Sequence, residues 1–139
     1  MATRIISADS VGGEAIVALP DGGRPYDFDV VSIFVRYESH SPPGGQRQIR
    51  ITAENEQGRI LIVTGGDQQP TNQTRFYCAF ADAPQERVTV GDDIQWCPWP
   101  EGLVIPAGGV IRVKAANIAA PNDIIQVNAQ VRSTLDRPR

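Results

Sequence analysis

The stretch from 103 to 131 constrains the fold more than any other part of the chain, because its apolar residues recur at every second position. Four apolar residues near its end alternate with four polar ones, Ile125, Val127, Ala129 and Val131 against Gln126, Asn128, Gln130 and Arg132. A period of two places one face of a strand in a core and the other in water. The stretch therefore predicts two strands, one on each side of a polar connection, and we expect them to form a hairpin-like pair that closes the domain.

The length and charge of the chain limit what it can be. A chain of 139 residues is the size of one domain and buries roughly 68% of the surface that its unfolded form exposes. Its net charge of −3 provides no general attraction to phosphate, so we expect no nucleic acid partner. No apolar run approaches the ~20 residues of a membrane span and the N-terminus lacks a signal-peptide core, so we expect no membrane partner and synthesis in the cytoplasm.

Short alternating segments separated by Gly- and Pro-rich turns make up the rest of the chain, and none has a helical period. They predict strands at 14–19, 29–37, 48–54, 59–64, 74–80, 86–90 and 94–97. The continuous apolar run 59–64 is typical of a central strand, and we expect it to form a hairpin with 48–54. Together these segments predict an all-β antiparallel sandwich. We favour a jelly roll, although an immunoglobulin-like sandwich has the same pattern, since strand order cannot be read from it.

The faces of the individual strands and the ends of the domain can also be predicted. In 29–37 we expect one face to carry Val31, Ile33, Val35 and Tyr37. Pro106, followed by Ala-Gly-Gly, predicts a tight turn. We assign 14–132 to the sandwich, 1–13 to an edge strand or an arm that lies on a neighbouring molecule, and 133–139 to a C-terminal tail outside the core.

The residues that could perform chemistry are few. The single histidine, His40, lies in a Ser-Pro-Pro loop and has no second histidine for a common zinc ligand set. Cys78 and Cys97 have no local catalytic signature, and we interpret them as free thiols that behave as small apolar residues. The acidic pairs lack the spacing of a calcium loop. We therefore expect no catalytic residue, no metal and no cofactor, and a protein that is not an enzyme.

The segment Trp-Cys-Pro-Trp-Pro at 96–100 is the most unusual local sequence, because it places two indoles among prolines. Three interpretations remain open. Trp96 can belong to the core while Trp99 closes one end of the sandwich, the pair can anchor a subunit interface, or they can form a stacking platform for sugar.

Two patterns near the C-terminus carry a resemblance to a known family. The pattern L-x-IPAG-x-VIRV beginning at Leu103 and the later NDIIQVNAQVR resemble the closing strands of accessory virion proteins of tailed bacteriophages, among which the small β-sandwich capsid decoration, or cement, proteins are the most similar group. The resemblance covers about the last third of the chain. It implies a structural protein on the virion surface, made in the host cytoplasm, that binds the outside of a shell of major capsid protein as a homotrimer and reaches its neighbours with terminal arms.

The residues that we expect at an interface follow from the interpretation of 96–100 and from the resemblance to decoration proteins. They are Trp96 and Trp99 in the elbow and Leu135, Arg137 and Arg139 in the tail. The alternative function is a carbohydrate- or receptor-binding β-sandwich module of a phage tail or fibre, in which Trp99, Trp96 and Tyr77 would stack on the ligand.

Overall fold

The computed structural model of the protein describes residues 3–20, 27–81, 89–90 and 94–133. Strands make up 63% of these residues, and none of them is helical. The strands are β1 Thr3–Asp9, β2 Glu14–Ala18, β3 Asp27–Glu38, β4 Arg47–Glu54, β5 Ile60–Thr64, β6 Gln68–Gln69, β7 Thr74–Phe80, β8 Thr89–Val90, β9 Ile94–Pro98, β10 Val104–Pro106, β11 Val110–Ala115 and β12 Ile124–Ser133. Among these residues there is accordingly no helix that could cross a membrane.

The strands form two packed sheets. The larger has the order β1-β12-β3-β7-β9-β8, with β10 also paired to β3, and the smaller has the order β2-β11-β4-β5, with β6 also paired to β4. Neighbours run antiparallel except for the parallel pair of β7 and β9. The predicted all-β sandwich is confirmed, while the jelly roll within that class is not confirmed.

The core lies between the inner faces of the two sheets. Its largest apolar side chains with essentially no exposed surface are Phe28, Ile33, Tyr37, Ile49, Ile51, Tyr77, Ile105, Ile111 and Ile125. They come from strands that alternate buried and more exposed positions, which is the pattern of a sheet with one covered face. Burial of apolar surface from both sheets is therefore what holds the layers together.

The two strands that the alternation of 103–131 predicts do form, but the expectation that they pair with each other was wrong. β11 pairs with β2 and β4 in the smaller sheet, whereas β12 pairs with β1 and β3 in the larger one. The predicted tight turn is present, since the Gly109 N–H donates to the Pro106 carbonyl over 3.0 Å and Gly108 has a φ of 83°. It carries the chain from β10 in one sheet to β11 in the other.

A β-bulge in β3 changes which residues face the core. Gln130 pairs with Ser32, but the next residue, Val131, pairs with Val30, so Val31 is the extra residue. An extra residue reverses the in-and-out alternation on one side of the bulge. Val30 is therefore buried and Val31 is not, and the expectation that Val31 shares a face with Ile33 was wrong.

Two other sequence expectations are settled by the pairing. Of the two alternatives for the N-terminal segment, Thr3–Asp9 is an edge strand that pairs with β12 along its whole length. The hairpin of β4 and β5 is confirmed. The expectation of a central position for this second strand was wrong, because β5 ends the smaller sheet and its side chains are largely exposed.

One buried ion pair ties the end of the sandwich together. The guanidinium of Arg47, at the start of β4, donates to both carboxylate oxygens of Asp123, over 2.8 and 3.1 Å, and neither side chain is exposed. The Tyr37 hydroxyl and the His40 N–H also donate to Asp123. Burial alone would raise the pKa of Asp123, but these hydrogen bonds, that from Arg47 first, hold it below its usual value. The pair thus links the smaller sheet to the segment that enters β12.

Candidate binding surfaces

The outer face of the larger sheet is a broad surface that we call the aromatic–amide face. Strand register aligns one row of side chains straight across it, from β1 through β12, β3 and β7 to β9. The members of this row are Ser7, Asn128, Phe34, Cys78 and Trp96. Four steps between strands of about 4.8 Å each make the row roughly 19 Å long.

The half of this face over β3, β7 and β9 is aromatic. Phe34 and Phe76 pack with ring centroids 5.7 Å apart, and Phe80 contacts Trp96 edge-on at the same centroid distance. Phe34 is 39% exposed, and the other three rings are half-buried. Because the inward positions of these strands already fill the core, the rings lie on the outside of the sheet.

The half over β1 and β12 is polar and uncharged only at its centre, because Ile5 and Asp9 are exposed on either side of Ser7 along β1. Gln126, Asn128 and Gln130 lie along the outward side of β12. The Ser7 hydroxyl donates to Asn128 Oδ1 over 2.6 Å, and the Ser32 hydroxyl is 3.4 Å from Gln130 Oε1. Each side-chain amide has two hydrogen-bond donors and an acceptor. This half of the face can therefore both donate hydrogen bonds to a ligand and accept them from it.

The outer face of the smaller sheet is built differently, around an ionic cluster. Arg112 on β11 donates through Nε to Glu54 on β4 over 2.8 Å and through Nη1 to Glu14 on β2. The hydrogen bond from Arg112, more than any other contact, lowers the pKa of Glu54, and the two carboxylates raise the pKa of Arg112. The cluster joins three neighbouring strands, and its single arginine is shared by two carboxylates.

An exposed aliphatic group adjoins this cluster, and we call it the β5 edge. It consists of Ile60, Leu61 and Val63, of which Ile60 is 55% and Val63 51% exposed. Within the described residues no strand pairs with the outer side of β5. The register with β4 passes from Ile62 to Ile60, which leaves Leu61 as a bulge. A bulge interrupts the regular ladder, so this edge is better suited to side-chain contacts than to pairing with another strand.

The structure separates the aromatic residues that the sequence placed together. Trp96 lies half-buried on the aromatic–amide face. Trp99 is only 4% exposed and belongs to the core, so the idea that it presents a rigid surface to a partner or a sugar was wrong. Tyr77 is fully buried and donates its hydroxyl to Gln69 Oε1 over 2.9 Å, which removes it as a stacking residue. The tail candidates Leu135, Arg137 and Arg139 lie outside the described residues.

The groups that could perform chemistry are spread apart. Cys78 faces outward on β7 and Cys97 faces the core on β9, and both are free thiols. Burial raises the pKa of the Cys78 thiol. His40 Nε2 lies 3.3 Å from a carboxylate oxygen of Glu38, in the loop region at the end of β3. Within the described ranges, no three His, Cys, Asp or Glu side chains come close enough to hold a metal ion.

Sequence reasoning identified Trp96 but missed the rest of both surfaces, for the same reason in each case. The outward positions of β12 were visible in the alternation, and so was the apolar run of β5. Whether these residues form a binding surface depends on which strands lie beside them, and a local sequence pattern does not contain that information. An unbroken apolar run with no charge is also the pattern of a buried strand.

Comparison with known proteins finds no matching family model, no matching curated protein and no matching solved structure. A proposal about function therefore depends on the residues and surfaces of this chain.

Proposed function

We propose that this protein is a capsid decoration protein that binds the outside of an assembled phage shell and stabilises it. The observation that carries the proposal is the β5 edge, where large aliphatic side chains are exposed beside the ionic cluster of Arg112. Grouped exposed aliphatic side chains are a mark of protein–protein contact sites. The β5 edge is accordingly the part of the molecule that we assign to the shell.

The identity of the partner rests on the resemblance of the last third of the chain to virion decoration proteins. On that basis the partner is the major capsid protein, and the protein resides on the capsid surface. The homotrimer, and contacts by Leu135, Arg137 and Arg139, remain predictions from the sequence.

Repetition on a symmetric shell makes a small contact surface sufficient. A molecule that touches two shell subunits gains effective concentration for its second contact, so avidity exceeds single-site affinity by roughly 10² to 10⁴. A ligand that binds only the assembled shell also stabilises it by mass action. A small group of exposed aliphatic side chains such as the β5 edge is therefore sufficient for a protein that binds a shell at repeated positions.

Charge insertion at the β5 edge tests the proposal. Val63→Lys places a cation within the exposed aliphatic group, and we expect attachment to empty shells of the cognate major capsid protein to weaken by at least about tenfold. Co-sedimentation measures the attachment, and the melting temperature of the shell measures its stabilisation.

Asn128→Lys is the matched control, because it adds the same charge at an exposed strand position on the opposite face of the sandwich. It should sediment with shells as the natural protein does. Full attachment of the Val63→Lys protein, or equal loss in both variants, would contradict the assignment of the β5 edge to the shell.

A further inference from the structure

The aromatic–amide face lies on the other side of the sandwich from the smaller sheet, and the shell contact does not account for it. Its central row changes from hydroxyl and amide side chains at Ser7 and Asn128 to the rings of Phe34 and Trp96. A sugar chain presents the complementary chemistry. Each pyranose has an apolar face of C–H groups that packs on an aromatic ring, and a rim of hydroxyls that both donate and accept hydrogen bonds.

The charge of the aromatic–amide face indicates whether it would bind neutral or anionic sugars. All five side chains of the central row are neutral at pH 7, since a cysteine thiol ordinarily ionises above that pH and burial raises the pKa of Cys78 further. The two arginines of the face are paired, Arg132 with Asp29 over 2.7 Å and Arg36 with Glu38 over 3.3 Å, and Asp9 adds an exposed carboxylate on β1. Among the described residues, this face therefore has no cation without a carboxylate partner to attract sulfate, phosphate or a sialic acid carboxylate.

A recess adjoins the aromatic half. A groove of about 520 Å³ is lined by Phe80, Ser32 and Gln130, together with Glu101 and the Asp29–Arg132 pair. Concave sites bury more of a small ligand than flat ones do, and a few polar groups in them fix its orientation. An oligosaccharide that lies across the flat row could therefore place one of its sugar units in the groove, where that unit makes more contacts.

We propose that the aromatic–amide face binds a neutral oligosaccharide, stacked on Trp96 and Phe34 and hydrogen-bonded by Asn128 and its neighbouring amides. A row roughly 19 Å long suits several sugar units rather than one. The proposal does not rest on the shell-binding role, since that role uses the opposite side of the molecule.

The test uses the full chain on an array of neutral oligosaccharides built from glucose, mannose, galactose or N-acetylhexosamines, beside sialylated and sulfated ones. We expect binding to neutral members only. Titration calorimetry with the neutral oligosaccharides that bind on the array should then show that Trp96→Ala lowers the affinity by at least about tenfold. Asn128→Ala should lose roughly two- to tenfold, the range for one hydrogen bond between neutral groups.

Asn128 is exposed, so we expect its alanine variant to fold and to test the proposal even if Trp96→Ala folds poorly. Circular dichroism establishes that each variant is folded. Val63→Lys is the control and should bind sugar as the natural protein does, which separates this test from that of shell attachment. The proposal is overturned if no neutral oligosaccharide binds, if anionic ones bind better, or if Asn128→Ala binds with unchanged affinity.

Discussion

The two outer faces of the sandwich handle charge in opposite ways. On the smaller sheet, Arg112 bridges Glu14 and Glu54 in the middle of the face, and aliphatic side chains lie exposed at the β5 edge. On the larger sheet, the charged pairs stand near the strand ends, and the middle is aromatic and amide. The difference indicates that the first face contributes to holding its own strands together, whereas the second leaves its polar groups available to a ligand.

The largest expected effect comes from the two tryptophans, of which Trp96 in β9 lies on the aromatic–amide face and Trp99 just after β9 lies in the core. Trp99→Ala removes a core side chain and should lower the free energy of unfolding by about 3–5 kcal/mol. Trp96→Ala removes a half-buried ring from the outer face, with a cost of about 1 kcal/mol. Urea unfolding followed by circular dichroism measures both. Equal losses would show that the aromatic–amide face is part of the core structure and not a surface free for binding.

An intermediate effect is expected on the ionic face. Arg112→Met leaves Glu54, which is 9% exposed, without its main partner, and should lower the free energy of unfolding by about 1–2 kcal/mol. The matched control is Arg36→Met on the other face, where Arg36 and Glu38 are each about a third exposed in their side chains. Exposed pairs of this kind contribute about 0–1 kcal/mol. Thermal unfolding at low salt compares the variants, and a larger loss in Arg36→Met would reverse the comparison.

The smallest effect is one of pH, and its sign follows from the lowered pKa of Glu54. A carboxyl group whose pKa is lower in the folded state stabilises the fold above its unfolded pKa, and this contribution disappears as the pH falls through the folded value. The natural protein should therefore lose more stability on acidification from pH 7 than Glu54→Gln does. Asp123, whose pKa is also lowered, affects both proteins alike and cancels in the difference.

Denaturant unfolding at a series of pH values between 7 and 3 gives this difference directly. Parallel curves for the natural protein and Glu54→Gln would mean that the Arg112 cluster adds no stability through Glu54. In that case the ionic face would contribute no more to the stability of the fold than the aromatic–amide face does.

Much of the secondary structure could be predicted from the sequence. Local alternation predicts β2, β4, β7, β9 and the strands at the C-terminus, because each strand must present one face to a core. The turn at Pro106 was equally predictable, since proline and glycine act through their own backbone preferences. The β4–β5 hairpin followed from the short connection between two strand patterns.

The candidate surfaces could be predicted only in part. Trp96 was identified from its unusual neighbours, but the same reasoning exposed Trp99, which the structure buries. The amides of β12 acquire a possible role only because register sets Asn128 beside Phe34, and the β5 edge is recognised only because no described strand covers it.

By itself, then, the sequence determined that this chain is an all-β protein with strands joined by tight turns, because alternation and turn chemistry act between residues close in the chain. The tertiary structure alone decided that β11 and β12 lie in different sheets, that Val31 leaves the core at a bulge, and that Arg47 meets Asp123 across 76 positions of the chain. These outcomes depend on pairing and packing between distant segments, where many arrangements satisfy the same local pattern and only the burial of a complete core selects one of them.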